Sequence, residues 1–301
     1  MSNKKKLGCM IPKISYFKLK TFGIVLIALV INSVFVFDSF SQTTPFPKIG
    51  ACAGYKDGEV LAKAGFSFIE ENVQSFLVPT KSEEEFDLIL QASKSSPLPI
   101  EAFIIFLLGS LKSVGPNAVH GDILDYAEVV FRRANKAGGK LVVFGSSGSR
   151  SVPDGFSKEE ATKQMIALGK LLGPIAAKYD ITVVLESLNT KECNFINSLS
   201  EAGEIVKAVN HPNYRLLADI YHMKMEGEGP ESILNYGHLI KHVHVAEKEG
   251  RAVPGTHGED LSLYYQALKL SGYEGSVSLE SRWENMGNQA AKAIETIKKQ
   301  W

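Results

Sequence analysis

From residue 47 onward the chain alternates between two textures. Short runs dense in apolar and β-branched residues predict strands: "KIGACAG" (48–54), "GFSFIEENV" (65–73), "PIEAFIIFLL" (99–108), "KLVVFGSS" (140–147), "DITVVLESLN" (180–189), "NYRLLADIYHM" (213–223), "IKHVHVAEK" (240–248) and "GSVSLESRW" (275–283). Between them lie stretches with apolar residues at helical spacing, such as "DILDYAEVVFRRANKAGG" (122–139), "SKEEATKQMIALGKLLGPIAAKYD" (157–180), "SLSEAGEIVKAVN" (198–210) and "LSLYYQALKLSG" (261–272). Several of these close on Gly or Asn, as helices do. Eight strands alternating with helices predict an α/β chain folded as a single (β/α)8 TIM barrel over residues 42–301. A doubly wound sheet is the competing architecture, but it would place a Gly-rich turn after the first strand. "GACAGYKDG" lacks the GxGxxG spacing, and "GSSGSR" after the fourth strand lacks the Lys-Ser/Thr of a phosphate-binding loop.

Residues 1–41 read differently. Lysines at 4–6, 13, 18 and 20 precede the apolar run "FGIVLIALVINSVFVF" (22–37), which is followed by "DSFSQ". A basic flank, an apolar core and small residues at Ser39 and Ser41 predict a signal peptide cleaved before Gln42, with an uncleaved N-terminal anchor as the alternative. Export to a bacterial-type periplasm is the expected location, with membrane contact only through this segment if it is kept. The leader also changes the charge picture. Lys+Arg and Asp+Glu number 33 each over the chain, but six of the lysines and only one acid, Asp38, fall in the first 41 residues. The remainder is therefore mildly acidic, and no Lys/Arg cluster marks a nucleic-acid footprint. Beyond the leader only Cys52 and Cys193 remain, too few for a disulfide framework or a structural zinc knuckle.

The chemistry sits at the strand ends. In a barrel of this kind, residues at the C-terminal ends of strands line the functional site. In the second half of the chain these are Glu186, Asp219, His244 and Glu280, separated by 33, 25 and 36 residues, each about one strand–helix unit. On successive strands about 4.8 Å apart, four such side chains converge inside the rim. Three carboxylates and one imidazole at one point would repel strongly without a cation. Oxygen-rich ligation with a single nitrogen favours manganese, magnesium, cobalt or iron over a thiolate-type zinc site, and manganese is the first expectation.

These residues resemble the xylose-isomerase-like barrels of the sugar isomerase and epimerase superfamily, most closely ketose 3-epimerases of the D-tagatose and D-psicose type. The resemblance runs from about Lys48 to the C-terminus. It is carried by Glu186 in an "E-x-x-N" segment with Asn189, Asp219 in "D-x-x-H-M", His244 in "H-x-H" and Glu280 ending the last strand. It implies that these four hold one divalent metal, that Glu192 and His222 contact substrate, and that Arg251, preceding "A-V-P-G", binds it too. One departure is visible: "VAEKEG" carries one residue more than those epimerases between His244 and Arg251, which bears on how far Arg251 reaches. The implied reaction is epimerisation or isomerisation of a free ketose or keto-sugar through an enediolate. A divalent ion stabilises the developing charge, one of Glu186 and Glu280 removes the proton, and the other returns one to the opposite face. The resemblance also implies a small-molecule sugar as partner and a homodimer or homotetramer.

Further pocket candidates are Glu71, one of two acids ending the second strand, His242, which shares a strand face with His244, and Trp283, which could stack on a sugar ring. For a lone residue of any of these types, packing or a solvated rim position is the ordinary role. Other functions use related pockets: hydroxypyruvate isomerase, inosose dehydratase, a lyase or hydrolase on a keto-glycoside, or a barrel that binds sugar without turning it over. An endonuclease IV-like phosphodiesterase is disfavoured, because it needs three metals and histidines after the third and fourth strands. "FIIFLLGSLKSVGPN" and "VVFGSSGSR" contain none.

Overall fold

Each of the eight apolar runs folds as one strand: β1 (Ile49–Cys52), β2 (Phe68–Asn72), β3 (Ile100–Ile104), β4 (Leu141–Phe144), β5 (Thr182–Glu186), β6 (Tyr214–Asp219), β7 (Ile240–Val245) and β8 (Ser276–Leu279). In this computed structural model, which describes residues 45–301, they pair in parallel in chain order and β8 closes on β1. The expected leader, residues 1–41, lies outside the described residues. Helices alternate with the strands: α1 (Gly58–Ala64), α2 (Glu83–Ser93), α3 (His120–Lys136), α4 (Ser147–Arg150), α5 (Lys158–Lys178), α6 (Leu199–Val209), α7 (Ile220–Glu226), α8 (Glu231–Tyr236), α9 (Ser262–Leu270) and α10 (Met286–Gln300). The four helical stretches named from the sequence are α3, α5, α6 and α9. No helix among the described residues is long and apolar enough to cross a membrane.

The helix starts follow local chemistry. Ser82 opens α2 with a reciprocal capping box to Glu85, and Ser157 and Ser198 cap α5 and α6 by accepting from Glu160 N and Glu201 N. Each such cap satisfies an orphan N–H and contributes about 1 kcal/mol. The outward residues of the strands pack with the helices into one apolar shell that includes Phe103, Phe131, Leu168, Val206, Val243 and Ile297. The barrel interior is divided. Val143, Val184 and Leu217, on β4 to β6, form a small apolar floor. Around the rest of the wall the interior carries Phe68, Glu70, His242, Ser278 and His244, all fully buried. A buried polar interior is costly unless its groups pair, so the polar half of this barrel marks where the chemistry lies.

Away from that interior, a second buried charge secures the frame. Arg133 on α3 is 2% exposed; it donates to the carbonyls of Leu77 (2.8 Å), Val78 (2.6 Å) and Lys81 (2.8 Å) and pairs with Glu83 at 2.6 Å. It thereby fixes the loop before α2, where Val78 takes a left-handed conformation (φ 39°). Hydrogen bonds from Arg132 and Arg133 hold the Glu83 carboxyl down at about 2, below its ordinary 4.5. The stability this carboxylate contributes is present above pH 4.5 and is lost as pH falls toward 2. Replacing Arg133 with Ala is expected to lower stability by about 3 kcal/mol or more, by leaving the carbonyls of Leu77, Val78 and Lys81 without their donor. Glu83→Gln is expected to flatten the loss of stability between pH 4.5 and 2. Urea unfolding across that pH range measures both.

Candidate metal centre and active site

The side chains of Glu186, Asp219, His244 and Glu280 converge inside the rim, each offering a ligand atom within 4.8 Å of the others. Asp219 and His244 lie directly opposite each other across the β6–β7 ladder, while Glu186 pairs with Leu217 and Glu280 falls just past the end of β8. The strands are thus staggered rather than level, and the inward tilt of the barrel wall brings the four together. His244 Nδ1 stands 3.2 Å from Glu186 Oε1 and 2.9 Å from Glu280 Oε2. Burial and the neighbouring Glu280 raise the Glu186 pKa. At Asp219 burial acts the same way, but His222, Arg251 and His244 outweigh it and hold the carboxyl below its usual range. Burial opposes the charged form of His244, yet Glu70, Glu186 and Glu280 push its pKa well up.

This donor set fits a divalent cation. Three carboxylates and one imidazole nitrogen are hard ligands of the kind manganese or magnesium takes. Glu280 Oε2 is also buried without a hydrogen-bond donor, although His244 Nδ1 and Arg251 Nη2 approach it at 2.9 and 2.7 Å. Nearness without hydrogen-bond geometry leaves that oxygen a lone pair to give.

The residues expected to contact substrate ring the same point. Asp219 Oδ1 accepts from His222 N (3.1 Å) and so caps α7, which seats the imidazole of His222 at the strand end. Asn189 N donates to His222 Nδ1 (3.1 Å), leaving Nε2 as a buried N–H without a partner, 3.6 Å from Asp219 Oδ2. Asn189 Nδ2 also donates to Glu192 Oε1 (2.9 Å), so one amide aligns two of these groups. Arg251 reaches the cluster. Its Nη2 lies 2.7 Å from Glu280 Oε2 and 3.4 Å from Asp219 Oδ2, its Nη1 3.6 Å from Glu192 Oε1, and its guanidinium stacks 4.6 Å from the Tyr221 ring centre. In the loop that carries it, Gly250 (φ 67°) and Arg251 (φ 53°) both turn left-handed. For Arg251 this is a strained backbone of the kind found at functional sites.

Three further candidates fall differently. His242 is buried below His244 and bonds Glu70 and Ser276, not the four-residue cluster. Glu71 points away from the barrel interior: its carboxylate accepts from Tyr55 N (2.5 Å) and Asn72 N (3.2 Å), fixing the loop after β1. The inward acid of that pair is Glu70. Trp283 is not in the pocket either; its ring meets Phe66 edge-on at 6.2 Å in the layer between strands and helices. Two other residues carry the site. Glu247, fully buried, accepts from Gly255 N, His257 N and Gly258 N and folds the loop bearing Arg251. Arg150, also fully buried, donates to the Glu186 carbonyl at 2.6 Å. Outward of Arg251 opens a cavity of about 750 Å3, whose walls include Lys191, Tyr221, Lys248, His257 and Arg282.

Comparison with known proteins places this geometry. L-ribulose 3-epimerase of Methylomonas sp. (strain DH-1) is 30% identical over 169 residues, covering 50% of this chain and 58% of that protein, so the chain aligns with little more than half of that relative's length. The 3-keto-D-glucoside 4-epimerase of E. coli superposes with a TM-score of 0.67 at 19% identity, covering 84% of this chain and 100% of that one. The IOLI protein, solved with a bound zinc atom, superposes with a TM-score of 0.64 at 23% identity, covering 84% and 96%. At those identities the likeness to solved structures is one of fold. The family model for the xylose isomerase-like TIM barrel matches residues 59–300, and with nearly the whole barrel inside that match the chain belongs to the xylose isomerase-like TIM barrel family.

Proposed function

We propose that the protein is a divalent-metal-dependent sugar isomerase or epimerase acting on a free ketose or keto-sugar. The observation that carries the reading is the convergence of Glu186, Asp219, His244 and Glu280 within 4.8 Å, with Arg251 and His222 at its edge. The relationship to L-ribulose 3-epimerase supports the same class of reaction. A divalent ion held by these four, manganese before magnesium, cobalt, iron or zinc, would act as a Lewis acid toward the substrate oxygens. The chain's own groups do the rest. Of Glu186 and Glu280, one removes the proton from the carbon beside the ketone and the other returns a proton to the opposite face. The unpartnered Nε2–H of His222 donates to a substrate hydroxyl. Arg251, gripped between Tyr221 and the carboxylates, and Glu192 orient the sugar. The same reading keeps an exported, periplasmic enzyme and a homodimer or homotetramer as its setting.

A second reading, on a keto-glycoside, is favoured by the 750 Å3 cavity beyond Arg251. Pockets for small ligands run from roughly 300 to 1,000 Å3, and this one has room for a second sugar ring beyond the reacting one. The E. coli neighbour named for a keto-glucoside supports it.

Incubation of the manganese-loaded protein with free ketoses and keto-glycosides in D2O, read by NMR, is expected to place solvent deuterium on one substrate carbon. Uptake confined to glycosides selects the second reading, and sugar binding without any exchange refutes both. Glu186→Gln and Glu280→Gln should each lower exchange by about 100- to 10,000-fold; full activity in either refutes its proton-transfer role. Gly145 offers a subtler check. A Cβ there would lie 2.2 Å from Glu186 Oε2, so Gly145→Ala is expected to displace that carboxylate. Its kcat should fall while thermal stability changes little.

A further inference from the structure

We infer that Glu70 is a positioning residue: its carboxylate takes the Nε2 protons of both His242 and His244, and so fixes His244 in the tautomer whose Nδ1 faces Glu186 and Glu280. The inference rests on the metal-centre reading of those residues. It starts from a buried acid with no access to water: Glu70 is 0% exposed and sits on β2, across the barrel interior from β7. Its Oε2 is 2.8 Å from His242 Nε2 and its Oε1 is 3.1 Å from His244 Nε2, so each oxygen serves one imidazole. Held between two ring nitrogens, one at each oxygen, the carboxylate is placed to accept from both rings at once.

An ionised carboxylate only accepts, so both facing nitrogens must carry hydrogen. For His242 this closes the account of its ring, because Nδ1 is left to accept from Ser276 Oγ at 3.1 Å. For His244 it leaves Nδ1 as the nitrogen turned toward the carboxylate cluster, 3.2 Å from Glu186 Oε1 and 2.9 Å from Glu280 Oε2. A ligating histidine commonly has its other N–H held by a carboxylate, which sets ring orientation and raises donor strength. Here one carboxylate also braces a second imidazole, which meets the His244 ring edge-on at 5.1 Å. The arrangement also gives "HVH" its spacing: two residues apart on one strand puts both rings on the inner face, above and below one acid.

A competing use of the same atoms is visible. Cys52, Glu70 and His244 also offer ligand atoms within 4.8 Å of one another, so an ion seated there would make Glu70 a ligand rather than a brace.

The test is equilibrium titration of manganese into substrate-free wild-type protein, Glu70→Gln and Cys52→Ala, with 15N spectra of the histidines in the zinc-loaded wild type. Glutamine has nearly the shape of glutamate but sets an NH2 against one Nε2–H. Glu70→Gln should therefore weaken manganese binding about 10- to 100-fold, and Cys52→Ala should leave it unchanged. In the wild type with zinc, His244 should be bound through Nδ1 and protonated at Nε2. That spectrum decides the matter even if Glu70→Gln does not fold. Ligation through Nε2, unchanged affinity in Glu70→Gln, or an equal loss in Cys52→Ala would each overturn the inference. A wild type that binds no divalent ion would instead bring down the metal-centre reading on which it rests.

Discussion

Like charges gathered in a buried space must be neutralised or moved apart, and the upper interior of this barrel is arranged around that constraint. Glu186, Asp219 and Glu280 carry three carboxylates into a space from which water is largely excluded, and Glu70 adds a fourth just below. At the low effective dielectric of such a site, two carboxylates a few ångströms apart repel by several kcal/mol. Positive partners therefore have to be close. His244 stands between Glu70 on one side and Glu186 with Glu280 on the other, and Arg251 reaches over from the β7 loop to Glu280 and Asp219. A divalent ion among the four donors would supply more positive charge at a shorter range than either side chain.

The surrounding structure follows from holding these groups in register. Asp219 is at once a wall of the cluster and the cap of α7, so the helix that carries His222 and Tyr221 begins where the carboxylate is fixed. Glu247 folds the segment from 255 to 258 around itself, which leaves Gly250 and Arg251 to make the sharp left-handed turn that aims the guanidinium inward. Arg150 holds the backbone of Glu186 from the far side of the strand. These contacts gather strain and buried charge in the loops at the end of the barrel that carries the site.

Much of this was legible in the sequence, for definite reasons. All eight strands stood out because strands covered on both faces read as short continuous apolar runs, and the four long helices because their apolar positions kept helical spacing. The four convergent residues were legible because each is polar where an apolar run ends. The same feature hid Glu70. β2 is buried on both faces, so its pattern does not say whether Glu70 or Glu71 faces inward; only the pairing of Gly50 with Phe68 and Cys52 with Glu70 fixes the phase. Trp283 misleads because, four residues past the end of β8, the chain has already turned toward the helices. The contacts of Glu247 and Arg150 were not legible, since their partners are backbone atoms brought close only by the fold.

The central claim is that the four donors hold one ion. A crystal structure of the manganese-soaked protein, with data collected at the manganese absorption edge, tests it most directly. A single anomalous peak bounded by Glu186, Asp219, His244 and Glu280 is the predicted result. No peak in the barrel, or one seated between Cys52 and Glu70, would contradict it.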